Sequence, residues 1–186
     1  MNRRVLWIVC AGVAVALLLA WLLFFRSGRM TPVEEDLPAT IAPTPTPAPK
    51  QQVVLLFPGR DGLLHPELRQ VSLPKESDTR IQVLVEELLA GPTSGLAPVI
   101  PYSAELRAVF VGQNNQAYID LTGPPEPLDG SMTELMLTYG LVNTILLNTE
   151  VTAVQLLFDG SQRPTLTGHL DLSRPLVLNK RFISGP

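Results

Sequence analysis

The chain has 186 residues, 46% of them hydrophobic, with 14 Lys and Arg against 17 Asp and Glu and a net charge of −3. Nucleic-acid binding draws its affinity from clustered cations; residues 51–186 carry nine scattered basic residues against 14 acidic ones, a net −5, which argues against nucleic acid as a partner. The single cysteine, Cys10, leaves no disulfide to staple a domain, so the fold must rely on its core.

Val5 to Phe25 carries no charge and no strongly polar side chain, and it is flanked by Arg3 and Arg4 before and Arg26 after. As a helix this run covers the roughly 30 Å hydrocarbon core of a bilayer, with Trp7 and Trp21 placed for the headgroup zones at its two ends. A cleaved signal is the competing reading, but cleaved signals have a shorter apolar run and small residues at the exit, whereas this run ends in Leu22-Leu23-Phe24-Phe25. Cys10 follows Trp7-Ile8-Val9 rather than the small residues of a lipidation site, and reads as a bystander in the span. Residues 1–26 are therefore expected to be a transmembrane anchor with a short cytoplasmic head, the bulk of the chain lying outside the membrane. Residues 27–50 follow as a stalk, because Pro43, Pro45, Pro47 and Pro49 alternate with small residues and hold the backbone extended.

Residues 51–186 carry the folded elements. Val53-Val54-Leu55-Leu56-Phe57 predicts a strand buried on both faces, stopped by Pro58-Gly59-Arg60-Asp61-Gly62. A second extended piece is expected over Leu68–Leu73. Ser77 or Asp78 then caps a helix whose stripe is Ile81, Leu84, Val85, Leu88 and Leu89, ended by Gly91-Pro92. Glu86 and Glu87 fall off that stripe and read as a solvated face, not as an acid pair. Strands are expected over Glu105–Val111 and Gln116–Leu121, joined through Gly112-Gln113-Asn114-Asn115 as a hairpin. Ser131 and Glu134 have capping-box spacing and predict a helix running to about Asn148, with Leu135, Tyr139, Val142, Ile145 and Leu146 inward. Val151–Phe158 is the last strong strand, with a weaker one near Thr165–Leu170. The order β-β-α-β-β-α-β predicts an α/β (α+β) domain, a mixed β-sheet packed against two main helices and preceded by one transmembrane helix.

Chemistry-bearing residues are few. His65 and His169 are the two histidines, and neither has a Cys, His or Asp partner at metal-binding spacing; Asp171 could share a strand face with His169. Ser131 lacks the flanks of a hydrolase nucleophile elbow. Asp61-Gly62, Asp129-Gly130 and Asp159-Gly160 each offer one oxygen where a calcium loop needs several, and read as turns. No catalytic, cofactor-binding or metal-binding residues are assigned.

The domain resembles the GerM-type sporulation and spore germination (GerMN) domain. The resemblance is carried by Val54-Leu55-Leu56-Phe57, by Val85-Glu86-Glu87-Leu88-Leu89-Ala90-Gly91-Pro92, by Val99-Ile100-Pro101, and by Ala117-Tyr118-Ile119-Asp120-Leu121. It continues through Leu137–Leu146, Phe158-Asp159-Gly160 and the tail Gly168–Pro175, and so covers nearly all of residues 51–175. The resemblance implies an extracytoplasmic α/β domain with no known catalytic residues, similar to the ring-building modules of envelope secretion machinery. The sequence departs from the spore protein in having one copy of the domain instead of two and an anchor helix instead of a lipobox. The expected function is a membrane-anchored binding or scaffolding module of the bacterial cell envelope. Its expected partners are the membrane, through residues 5–25, and an envelope protein or peptidoglycan. The alternatives are an envelope hydrolase assembled from distant residues, or a self-assembling ring-forming domain.

Overall fold

The computed structural model describes Trp21, residues 50–124 and residues 128–185. The chain divides into two units, residues 1–45 and 46–186, and the second holds the folded elements. The expected transmembrane span over Val5–Phe25, Trp21 apart, and the proline-rich stalk up to Pro49 lie outside the described residues; among those described, no helix is long and apolar enough to cross a membrane.

The strands are β1 (Lys50–Pro58), β2 (Leu64–Ser72), β3 (Leu106–Val111), β4 (Gln116–Leu121) and β5 (Ala153–Phe158). The helices are α1 (Ser77–Leu89) and α2 (Gly130–Asn148), with a short 3₁₀ turn at Lys180–Phe182. The strands form two sheets where the sequence led us to expect one. β1 and β2 pair antiparallel; β3, β4 and β5 make a second sheet, antiparallel between β3 and β4 and parallel between β4 and β5. The physical reason lies at the outer edge of β1. Asn148 accepts from Val54 N (2.9 Å) and donates to Val54 O (2.8 Å), Thr144 Oγ1 accepts from Leu56 N, and Ala97 N donates to Pro58 O. With Val54, Leu56 N and Pro58 O engaged by α2 and a loop, this edge of β1 is covered against a further strand over Val54–Pro58, which is also how exposed sheet edges are kept from pairing wrongly.

The apolar run of β1 is buried on both faces, as its pattern predicted. Val53, Leu55 and Phe57 enter the main core with α1 and the second sheet, while Leu56 joins Leu64 and Met136 in a smaller cluster flanked by Tyr139, Phe182 and Ile183. The α1 stripe buries Ile81, Leu84, Val85 and Leu88 against that main core, and Leu89 packs at its margin. β3 and β4 are joined by the expected turn: Gly112 N donates to Gln116 O, Asn115 N donates to Gly112 O, and Asn115 takes the left-handed conformation (φ 57°) that lets so short a connection close. Thr165–Leu170 is not a strand; it is a loop folded around a carboxylate of α2.

Candidate functional site

The first turn of α2 departs from the expected capping box. The N-cap is Asp129, which makes no side-chain cap hydrogen bond, and Ser131 is exposed. Glu134 turns inward and is fully buried. Its carboxylate accepts from Thr165 Oγ1 (2.7 Å), Leu166 N (2.8 Å), Thr167 N (3.1 Å), Thr167 Oγ1 (2.7 Å) and His169 N (3.0 Å). Burial by itself would raise its pKa; the hydroxyls of Thr167 and Thr165 and the backbone amides outweigh that and bring it to about 2. Glu134 thus stays ionised and fastens the Thr165–His169 loop to the helix.

Glu67 on β2 does the same for another loop. It accepts from the amide and hydroxyl of both Thr93 and Ser94, and from Arg69. Desolvation pushes its pKa up, Ser94, Thr93 and Arg69 pull it down, and the result is about 2. Arg69 also donates to Glu87 (3.0 Å) and to the carbonyls of Glu87 and Gly91, so Glu87 is tied to the sheet while Glu86 stays solvated. At the carboxyl ends of the parallel pair β4 and β5, Asp120 accepts from Gly160 N and Arg107, and Asp159 accepts from Gly123 N and Arg163. Asp159 and Gly160 both have positive φ and close a two-residue turn between Phe158 and Ser161; Gly62 and Gly130 are left-handed as well, in keeping with the Asp-Gly pairs as turns.

The histidines take partners that the sequence did not suggest. His65 Nε2 lies 3.0 Å from Asp61 in the β1–β2 turn, and this hydrogen bond holds the Asp61 carboxyl below its usual range. His169 Nδ1 lies 3.0 Å from Thr167 Oγ1 and 3.3 Å from Glu134, not against Asp171, which instead accepts from Ser173 and Arg174. The two histidines lie apart in the chain, His65 on β2 and His169 in the loop around Glu134. Among the described residues, no group of three or more His, Cys, Asp or Glu is placed to hold a metal ion.

What remains open is surface. Leu68, Phe110, Met132, Leu147 and Val177 are large apolar side chains exposed among the described residues, with Phe110 stacked on Tyr118 across β3 and β4. A mostly apolar pocket of about 250 Å³ lies between Pro58, Pro98, Pro101, Met132 and Met136. A larger, polar cavity of about 520 Å³ opens where β1 begins, between the start of α1 and the end of α2.

Two sheets, a β4–α2–β5 unit and loops held by carboxylates make up a small α+β domain. Residues 54–164 match the profile of the Germane family, described as sporulation and spore germination, and the chain belongs to that family. Two solved structures share the fold. One is a 2.5 Å crystal structure of a protein described as a lipoprotein from Clostridium perfringens, 22% identical, covering 69% of this chain and 88% of that one with a TM-score of 0.50. The other is the tandem GerMN domains of the sporulation protein GerM from Bacillus subtilis, 12% identical with a TM-score of 0.54, covering 73% of this chain and 48% of that one. This chain therefore spans about half of the tandem structure. No curated protein matches the chain.

Proposed function

We propose that this chain is a non-catalytic binding or scaffolding module of a bacterial cell envelope, held to the membrane by Val5–Phe25 and carried outside it on the proline-rich stalk. Membership of the Germane family supports an envelope role, as do fold neighbours described as a lipoprotein and a sporulation protein. The observation that carries the non-catalytic part is the use made of two loop-holding carboxylates, one buried and one partly buried. Glu134 and Glu67 are held ionised by surrounding donors and fasten loops, instead of facing a cleft with a perturbed partner poised to transfer a proton. The expected partner is another envelope protein or peptidoglycan; tethering to one membrane raises the effective concentration for neighbours in it.

The test uses the full-length chain in its host membrane. Protease added outside intact cells is expected to degrade residues 51–186, and a double variant His65→Ala, His169→Ala is expected to retain cellular function. Protection from external protease would overturn the topology, and loss of function in a folded double variant would revive a histidine-based enzyme. Cross-linking in intact envelopes is expected to yield one reproducible partner, protein or wall fragment; a chain that cross-links to nothing under conditions that trap other envelope complexes does not act as a scaffold.

A further inference from the structure

The polar cavity of about 520 Å³ carries an unusual charge arrangement. Three arginines are partly buried among the described residues, and two of them hold carboxylates, Arg69 those of Glu67 and Glu87, and Arg163 that of Asp159. Arg80 is the exception. It donates to the neutral Gln51 side chain (2.6 Å) and to the Pro74 carbonyl (3.5 Å), its Nε is buried without a hydrogen-bond partner, and among the described residues it forms no ion pair. A partly desolvated cation without an ion-pair partner is costly to the fold, and this one lines a cavity within the size range of small-ligand sites. Lys75, Ser77 and Gln52 line the same cavity.

The same cavity also has a lining of the other sign. It is formed by Leu147 to Glu150, the end of α2, which has no basic residue in its last turn and is followed there by the Glu150 carboxylate. At the start of α1 the N-cap Glu76 makes no side-chain cap hydrogen bond and Asp78 lies in the first turn, so the cations of this lining are the side chains of Arg80 and Lys75. One cavity is thus lined by two cations, Arg80 and Lys75, together with the Glu150 carboxylate and the carbonyl end of α2.

We infer that this cavity binds a small zwitterionic group, the end of a short peptide or an amino acid carrying a free carboxylate and a free ammonium. The carboxylate faces Arg80, Lys75 and Ser77, and the ammonium faces Glu150 and the carbonyl end of α2. The inference rests on the binding-module reading and gives that module a ligand of the kind presented by peptide chains of an envelope polymer.

Titration calorimetry of the full-length chain in detergent micelles tests this directly with four probes: alanyl-alanine, its C-terminal amide, its N-acetyl form and inorganic phosphate. Saturable binding of alanyl-alanine is expected, weakened about tenfold or more by blocking either end and by Arg80→Met. Absence of saturable binding overturns the proposal, and so does equal binding of the blocked dipeptides or of phosphate. If Arg80→Met fails to fold, the four-probe comparison on the unaltered chain still decides, and Lys75→Ala at an exposed position supplies the variant. An envelope cross-link that persists under excess dipeptide would remove this site from that contact while leaving the binding-module reading in place.

Discussion

The two helices of this domain are built on different principles. α1 is amphipathic: one apolar stripe of Ile81, Leu84, Val85 and Leu88 enters the core, and Gln82 and Glu86 remain in water. α2 packs against β1, β5, α1 and the C-terminal 3₁₀ turn, and it is buried over most of its surface. Its buried residues include Glu134, Thr138, Asn143 and Thr144 as well as Leu137, Leu141 and Ile145. Most of those polar groups act as substitutes for backbone. Glu134 gathers a loop, Asn143 exchanges two hydrogen bonds with the Asn179 backbone, and Thr144 and Asn148 pair with the edge of β1. A helix resting on one layer needs only hydrophobic burial; a helix enclosed among irregular segments must also satisfy their free amides and carbonyls.

The sharpest way to break this contrast is at Glu134. Glu134→Ala leaves five donors on the Thr165–His169 loop without their acceptor, and a loss of about 4 kcal/mol in chemical denaturation is expected. The same group sets a pH signature. Its folded-state pKa of about 2 lies below the usual 4.5, so its contribution is fully present above pH 4.5 and is lost as pH falls toward 2. Glu67 behaves alike over the same window. Stability should therefore decline steadily below pH 4.5, and Glu134→Gln should flatten that decline. An unchanged acid limb in Glu134→Gln would show that the carboxylate is not the clasp.

On α1 the equivalent lesion is apolar. Leu84 is fully buried, and Leu84→Ala should cost about 3 kcal/mol through lost transfer energy and the cavity left behind. Removing the exposed polar Gln82 on the same helix should change stability by less than about 0.5 kcal/mol. If Gln82→Ala cost as much as Leu84→Ala, α1 would not be the one-sided helix described above.

The division between the helices also marks what the sequence could reveal. The α1 stripe, both faces of β1, the β3–β4 hairpin and the extent of α2 were all readable, because periodicity and turn residues report hydrophobic burial and local backbone geometry. The separation into two sheets was not readable. It depends on Asn148 and Thr144 meeting Val54 and Leu56, some 90 residues away, and on nothing local in any of the four. Glu134 differs from its expected role for a related reason: Ser131-x-x-Glu134 has the spacing of a cap, and only tertiary structure reveals the loop whose amides outcompete the helix start. Strand alternation likewise puts His169 and Asp171 on one face, which fails where the segment is a loop around Glu134. The sequence offered one usable clue, the density of Thr and Asn in a helix otherwise rich in Leu.

Two smaller perturbations sharpen the account of α2. Asn148→Ala removes both bonds to Val54 and the one to the Thr144 carbonyl, exposing the β1 edge. A loss of about 2 kcal/mol is expected, with faster amide exchange at Val54 as the specific readout. Thr138 provides the opposite test. Its side chain is fully buried, and its hydroxyl is one of two buried side-chain polar atoms without a hydrogen-bond partner among the described residues. Thr138→Val replaces that hydroxyl with a methyl of similar size and keeps the β-branch, so it removes a desolvation penalty and breaks no bond. The variant should match the parent or exceed it by up to about 1 kcal/mol. A destabilisation comparable to Asn148→Ala would mean that the Thr138 hydroxyl is engaged in the folded protein, and that the polar interior of α2 is satisfied throughout.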